Sequence, residues 1–263
     1  MGSSLVTLET VRPGVALVTM RREAKLNAFN DELISALTEL CESLHDDTSV
    51  KAVVLTGGTR VFSAGADRSL FDTLEGETDV NRSRRILARG KWMCERWEAL
   101  PMVTIAAVEG GAVGGGLSLA LACDWRVFAS DAWGMVPEVK IGVNFGWGTL
   151  PRLAALVGPG RAKWLSILCR RTLATELASW GLLEEVAEPG RAVEAALRIA
   201  QEVSALPTLP PQMIKRTVNA FTHAAAKSSS YGDMEEMLVC LSDEESNLAR
   251  RRATAGTSPA RQT

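Results

Sequence analysis

Residues 102–125, MVTIAAVEGGAVGGGLSLALACDW, write an apolar strand, then five glycines within seven residues, then an apolar helix. A glycine-rich turn between strand and helix serves either a tight bend or an approach too close for a Cβ. The dinucleotide pattern G-x-G-x-x-G fails here, because the register beginning at Gly114 and Gly116 finds Leu119 in place of the third glycine, and no G-x-x-x-x-G-K-[ST] loop is present. If Gly115 opens the helix, its N–H is one of the unpaired donors of the first turn and carries the positive end of the helix dipole. Such a donor holds a developing oxyanion. Glycines that merely let a helix pack on a sheet explain the run equally well, and both readings stand at this point.

An oxyanion hole commonly uses two donors, which directs attention to VFSAGADRSLF at 61–71, just after the apolar run KAVVLTG. Gly65 lies between Ala64 and Ala66, so the backbone there is open to a ligand without side-chain obstruction; a plain strand-to-helix loop is the alternative. Asp67 stands where it would cap a helix over RSLFDTL, with Arg68 next to it.

Composition narrows the partners. With 263 residues, 46 % of them hydrophobic, the chain can bury a full core. Its 29 basic and 31 acidic residues form no long block of one sign, which argues against a nucleic-acid or anionic-membrane surface. Five cysteines, odd in number and without C-x-x-C spacing, give neither a disulfide framework nor a metal site, and a reducing cytoplasm is the expected location. The charge-free stretch from Gly110 to Cys123 is shorter than the ~20 apolar residues of a membrane span.

The runs LVTLETV, GVALVTM, KAVVLTG and MVTIAAV read as strands and alternate with the helical patterns DELISALTELCESLHDD and 81–100. The first two are joined only by Arg12-Pro13-Gly14, a hairpin-like connection that predicts a mixed sheet. From about residue 159 strand signals fade and helical segments follow, up to DMEEMLVCLSDEESNLARR; the small, polar end from about 254 is expected to fray. No internal repeat stands out. The expected division is a core over 1–200 and a helical C-terminal region over 201–263.

With both glycine turns in hand, the chain resembles the crotonase superfamily, the enoyl-CoA hydratase/isomerase family. The resemblance runs in order from REAKLNAF through VFSAGAD and AVEGGAVGGGLSLALACDWRVFASDAWGMVPEVKIGV to GRAKWLSIL and ATELASWGLLEEV, about residues 5 to 255. It implies an α/β spiral of ββα units forming two roughly perpendicular sheets, with a helical C-terminal trimerisation region in a homotrimer or a hexamer of two trimers. It also implies a coenzyme A thioester as substrate, with no separate cofactor or metal. Carried over by position, Ala66 and Gly115 match the backbone donors to the thioester oxygen, and Ala64 matches the carbonyl that receives the adenine amino group. Lys25 is a candidate for the CoA phosphates; Asp67 and Arg68 are candidates beside Ala66.

Hydratases of the family carry two glutamates, and here only Glu138, in MVPEVKIGV, is matched; the first position is Ser118. An offset of three from Gly115 keeps Ser118 on the same helix face, but a hydroxyl without a partnered base does not exchange its proton near neutral pH. The leading expectation is therefore an enoyl-CoA isomerase with Glu138 as single proton shuttle. Hydration, decarboxylation or thioester hydrolysis, and a catalytically silent CoA-binding member, are the alternatives. G-L-S-L-A resembles the nucleophile elbow G-x-S-x-G only loosely; Ala120 replaces its last glycine, and His223 lies within a helical pattern, while His45 ends a charged helix. Of seven tryptophans, Trp92, Trp97, Trp133 and Trp147 fall in segments flanking the family's acyl pocket, where they either shape a site for a bulky or ring-containing acyl group or anchor core and interfaces.

Overall fold

The computed structural model describes residues 5–222, 230 and 232–255. β1 (Val6–Arg12) and β2 (Val15–Met20) form the expected antiparallel hairpin. β2 then pairs in parallel with β3 (Ala52–Thr56), which pairs with β4 (Val103–Val108); β6 (Trp125–Ala129) and β9 (Glu185–Ala187) complete a mixed six-stranded sheet in the order β1-β2-β3-β4-β6-β9. β3 and β4 are buried at every position, as their unbroken apolar runs require of strands covered on both faces.

A second line of pairing runs beside this sheet. β5 (Gly111–Val113) pairs with β7 (Trp133–Met135), and β7 with β8 (Thr172–Leu173). Single bridges extend the line backwards, Ser63 to Ala112 and Phe29 to Ala66. Each pass of the chain therefore lays one strand in the large sheet, a shorter extended segment in the second line, and then a helix. The passes end in α1 (Asp31–Asp46), in α2 (Arg68–Glu75) followed by α3 (Val80–Glu98), in α4 (Gly115–Ala122), and in α5 (Thr149–Leu168), which bends at Gly158. This is a repeat of structure that the sequence does not repeat in residues.

α6 (Ala174–Ser179) and α7 (Ala192–Ser204) follow, α7 packing its alanine-rich face on β3, β4 and β6. α8 (Leu209–Thr222), α9 (Asp233–Ser242) and α10 (Glu244–Ala255) close the described chain; the helical run predicted from Asp233 is two helices, parted at Asp243, whose backbone is extended. His223 and the end of the chain beyond 255 lie outside the described residues. The chain after residue 159 is mostly helical, as its sequence pattern indicates, and also holds β8 and β9, strands of two and three residues too short to leave an alternation signal. Among the described residues no helix is long and apolar enough to cross a membrane.

Candidate active site

Two glycine turns meet at the amino end of α4. Gly115 is its first residue, Gly114 its N-cap, and the Gly115 N–H has no acceptor among the described residues. The neighbouring turn is oriented by its bridge to Phe29: the Phe29 amide donates to the Gly65 carbonyl at 2.7 Å, and the Asp67 amide donates to the Phe29 carbonyl at 2.9 Å. Backbone groups alternate in direction along an extended chain, so the intervening Ala66 N–H turns away from Phe29 and is likewise unpaired.

Gly65 sets how close the turns come. Its φ is +88°, and a Cβ on it would fall 2.6 Å from the Val113 carbonyl oxygen and 3.3 Å from the Gly115 nitrogen. Any side chain at 65 would therefore cover the amide that the site exposes.

Asn27 holds the turn from behind. Fully buried, it donates from Nδ2 to the carbonyls of Gly57 (2.8 Å), Phe62 (3.2 Å) and Val61 (3.3 Å), and its Oδ1 accepts from the Arg22 amide. Its φ of +52° is one that asparagine tolerates better than most residues. In the run REAKLNAF nothing about this asparagine's sequence position announces the role.

Glu138 begins a single 3₁₀ turn (Glu138–Ile141) after β7. Its Oε1 rests against Gly114, where a Cβ would collide with it, and its Oε2 is buried with no hydrogen-bond partner among the described residues. Burial pushes its carboxyl up to about 8, against a smaller opposing effect of its own backbone amide. It is a carboxylic acid poised to lose or hold a proton near neutrality.

Ser118 is fully buried, one helical turn from Gly114. Its hydroxyl lies 3.2 Å from the Gly114 carbonyl oxygen, to which it donates, and 2.7 Å from the Thr149 hydroxyl. Thr149, in turn, lies 2.7 Å from the Gly146 carbonyl oxygen. The serine thus ties α4 to the start of α5, a link that Thr149 gave no sequence signal for.

The remaining candidates lie along the outer side of the first turn. The Ala64 amide donates to Leu26 at 2.9 Å, which brings the exposed Lys25 next to the Ala64–Ala66 segment. Asp67 is the N-cap of α2, accepting from the Ser69 amide at 3.0 Å and pairing with Arg22 at 2.6 Å. Burial raises its carboxyl, but the Ser69 and Arg22 hydrogen bonds outweigh burial and hold it below the ordinary range. Arg68 is exposed, 3.6 Å from Asp72. His45 is exposed at the end of α1. Asp124, which follows α4, accepts from the Thr104 amide on β4 at 2.8 Å and pairs with Lys215 at 2.7 Å.

The tryptophans part company. Trp97 is fully buried in the core, Trp92 is half exposed, and Trp133 lies against Gly111 with the Arg171 guanidinium 4.4 Å from its ring centre. Of these four, Trp147 alone touches the donor residue Gly115.

An α/β spiral presenting two unpaired backbone donors beside a buried carboxyl is a crotonase-class architecture. The chain belongs to the enoyl-CoA hydratase/isomerase family, whose model matches residues 10–248. It is 33 % identical over 235 residues to the short-chain-enoyl-CoA hydratase of Clostridium acetobutylicum, covering 88 % of this chain and 87 % of that one. To the crotonyl-CoA hydratase of Syntrophomonas wolfei it is 32 % identical over 206 residues, 78 % of each chain. Among solved structures, an enoyl-CoA hydratase/isomerase from Xanthobacter autotrophicus Py2 superposes with a TM-score of 0.86 at 27 % identity, covering 96 % of this chain and 97 % of that one.

Proposed function

We propose that this acyl-CoA enzyme moves the double bond of a 3-enoyl-CoA to the 2-position, with Glu138 as its single proton shuttle. The Ala66 and Gly115 amides would receive the thioester oxygen. Glu138 takes a proton from C2, the released electron pair spreads through the alkene and the thioester carbonyl as a dienolate, and the same carboxyl returns the proton to C4. Charge that develops on the oxygen faces two donors that need no reorganisation, and one such donor is worth about 3 kcal/mol of barrier. Lys25, Ala64, Asp67 and Arg68 border the side from which a CoA moiety would enter.

The observation that carries this reading is the lone carboxyl. Among the described residues, Glu138 is the titratable group that rests against Gly114, beside the Gly115 amide, while Ser118 has its hydroxyl engaged by Gly114 and Thr149. Hydration is the second reading, favoured by the hydratase names of the relatives. It calls for a second group to manage the attacking water, and Ser118 is not a base.

Conversion of 3-enoyl-CoA to 2-enoyl-CoA, followed by absorbance of the conjugated thioester, tests the proposal. Migration that is lost in Glu138→Gln supports it. Turnover indifferent to that substitution, or rapid hydration of 2-enoyl-CoA without migration, sinks it. Strong hydration gained by Ser118→Glu would identify the missing carboxylate as what limits that reaction.

A further inference from the structure

Trp147 has a backbone that its residue type does not favour. Its φ is +62°, a left-handed conformation that costs a bulky residue about 1–2 kcal/mol. Three contacts hold the segment there. Arg152 donates from Nη1 to the carbonyls of Trp147 (2.9 Å) and Gly148 (3.1 Å), and Asp233 of α9 accepts from the Gly148 amide at 2.8 Å. Arg152 is itself fixed by Glu98 at 2.6 Å.

The indole so placed runs from α4 to α3. A Cβ on Gly115 would fall 2.5–3.1 Å from the indole's benzo-ring carbons, and one on Gly90, in the middle of α3, would overlap the ring. The ring of Phe29, whose backbone bridges to Ala66, closes a further side at 5.7 Å between centroids. A glycine inside a helix is unfavourable by about 1 kcal/mol relative to alanine, and Gly90 is explained by the ring it admits. Two glycines, a left-handed backbone and a part-buried ion pair thus combine to set one aromatic ring against Gly115.

We infer that Trp147 is the specificity-determining wall of the acyl site and restricts this enzyme to short, compact acyl groups. The inference rests on the thioester reading above: with the oxygen at the Gly115 amide and Glu138 at Gly114, an acyl chain extending toward α3 meets the indole. Trp147 removes space at that end, in contrast to the roomy, ring-accepting pocket that the tryptophan content leaves open. Long acyl chains must displace the ring or leave the site, and a hydrophobic wall discriminates by about tenfold or more when it rejects several methylenes.

Saturated thioesters do not react, so their binding reads the wall independently of Glu138. Dissociation constants for butyryl-, hexanoyl-, decanoyl- and tetradecanoyl-CoA, measured by calorimetry, are expected to be at least about tenfold weaker for the two long chains in the wild type. Trp147→Gly, at ease with the positive φ, is expected to tighten decanoyl-CoA about tenfold while changing butyryl-CoA less than about threefold. Trp147→Phe keeps a ring in place and is expected to retain the short-chain preference even if the glycine variant does not fold. Equal affinity for all lengths in the wild type, or an unchanged ranking in a folded Trp147→Gly, overturns the wall. Absence of binding to every acyl-CoA overturns the thioester reading and the wall with it.

Discussion

Glu138 is where chemistry and stability pull in opposite directions. Its carboxyl has an ordinary value of 4.5 and titrates at about 8 in the folded chain. Proton abstraction needs the ionised form, so kcat/KM for double-bond migration is expected to rise with pH and level off above about 8, since that ratio follows the free enzyme. Glu138→Gln is expected to lower it by at least about a hundredfold. Stability follows the same proton in the other direction. Between pH 4.5 and about 8 the folded chain holds a proton that the unfolded chain releases, so stability falls as pH rises through this window. Glutamine has no such loss. Urea unfolding is expected to find Glu138→Gln roughly a few kcal/mol more stable than wild type at pH 8.5 and equal to it near pH 4. A variant less stable than wild type at pH 8.5 would mean that the carboxylate is stabilised in the fold rather than strained by it. At Gly65 both positive φ and the proximity of Val113 oppose any Cβ, so Gly65→Ala is expected to cost about 2–4 kcal/mol and to lower kcat more than KM, by covering the Gly115 amide.

At the level of elements, the Glu138 turn is clamped from far along the chain. Arg250 of α10, almost fully buried, donates from Nη1 to the Gly142 carbonyl at 2.8 Å, at the end of the turn that Glu138 begins. Asp233 of α9 holds the Trp147–Gly148 segment by accepting from the Gly148 amide. The C-terminal helices therefore position the site as well as closing the fold. Arg250→Gln is expected to reduce kcat about tenfold with KM within about twofold, and to shift the pH profile toward that of an ordinary carboxylate as water reaches Glu138; an unchanged pH profile would leave Arg250 a structural residue only. Such long-range clamps explain what could be read in advance. Long apolar runs announced β1 to β4, and Gly115 at a helix start followed from a strand running into glycines. The second line of pairing was illegible because Phe29, Ser63 and Ala66 each make a single bridge, which has no period. Ser118 could be placed on the face of α4 that carries Gly115, yet nothing in its neighbourhood named Thr149, thirty-one residues away, as its partner. Gly90 was legible in principle, as a lone glycine inside a helical pattern, and its meaning appears only with the ring it admits.

For the molecule as a whole, the apolar surface left in water points to self-association. α8 exposes Leu209, Met213, Ile214, Val218 and Phe221, the last at 85 %, at spacings of four, one, four and three residues that share one helix face. A second exposed group, Trp164, Ile167, Leu168 and Leu173, lies at and beyond the end of α5, with Arg170 stacked 5.1 Å from the Trp164 ring centre. An unpartnered face of this kind on a monomer invites aggregation, whereas a closed symmetric assembly buries it. The family resemblance gives three or six copies as the expected count. Light scattering on the eluting protein is therefore expected to read about three or six times the 28.2 kDa of one chain. The double substitution Ile214→Asp and Phe221→Asp places two charges on the face of α8 without touching Glu138, Ala66 or Gly115. If α8 is an interface, these charges shift the elution toward smaller species, with an effect that grows on dilution. If the wild type already elutes as one chain, the apolar face has another partner and the trimer expectation falls. Because Lys215, on the same helix, donates to the Met102 carbonyl beside β4 and pairs with Asp124, α8 is anchored to the large sheet from its other side. The substitutions should therefore separate copies without unfolding the helix, and far-ultraviolet dichroism that stays constant while the mass falls is the outcome that assigns α8 to assembly.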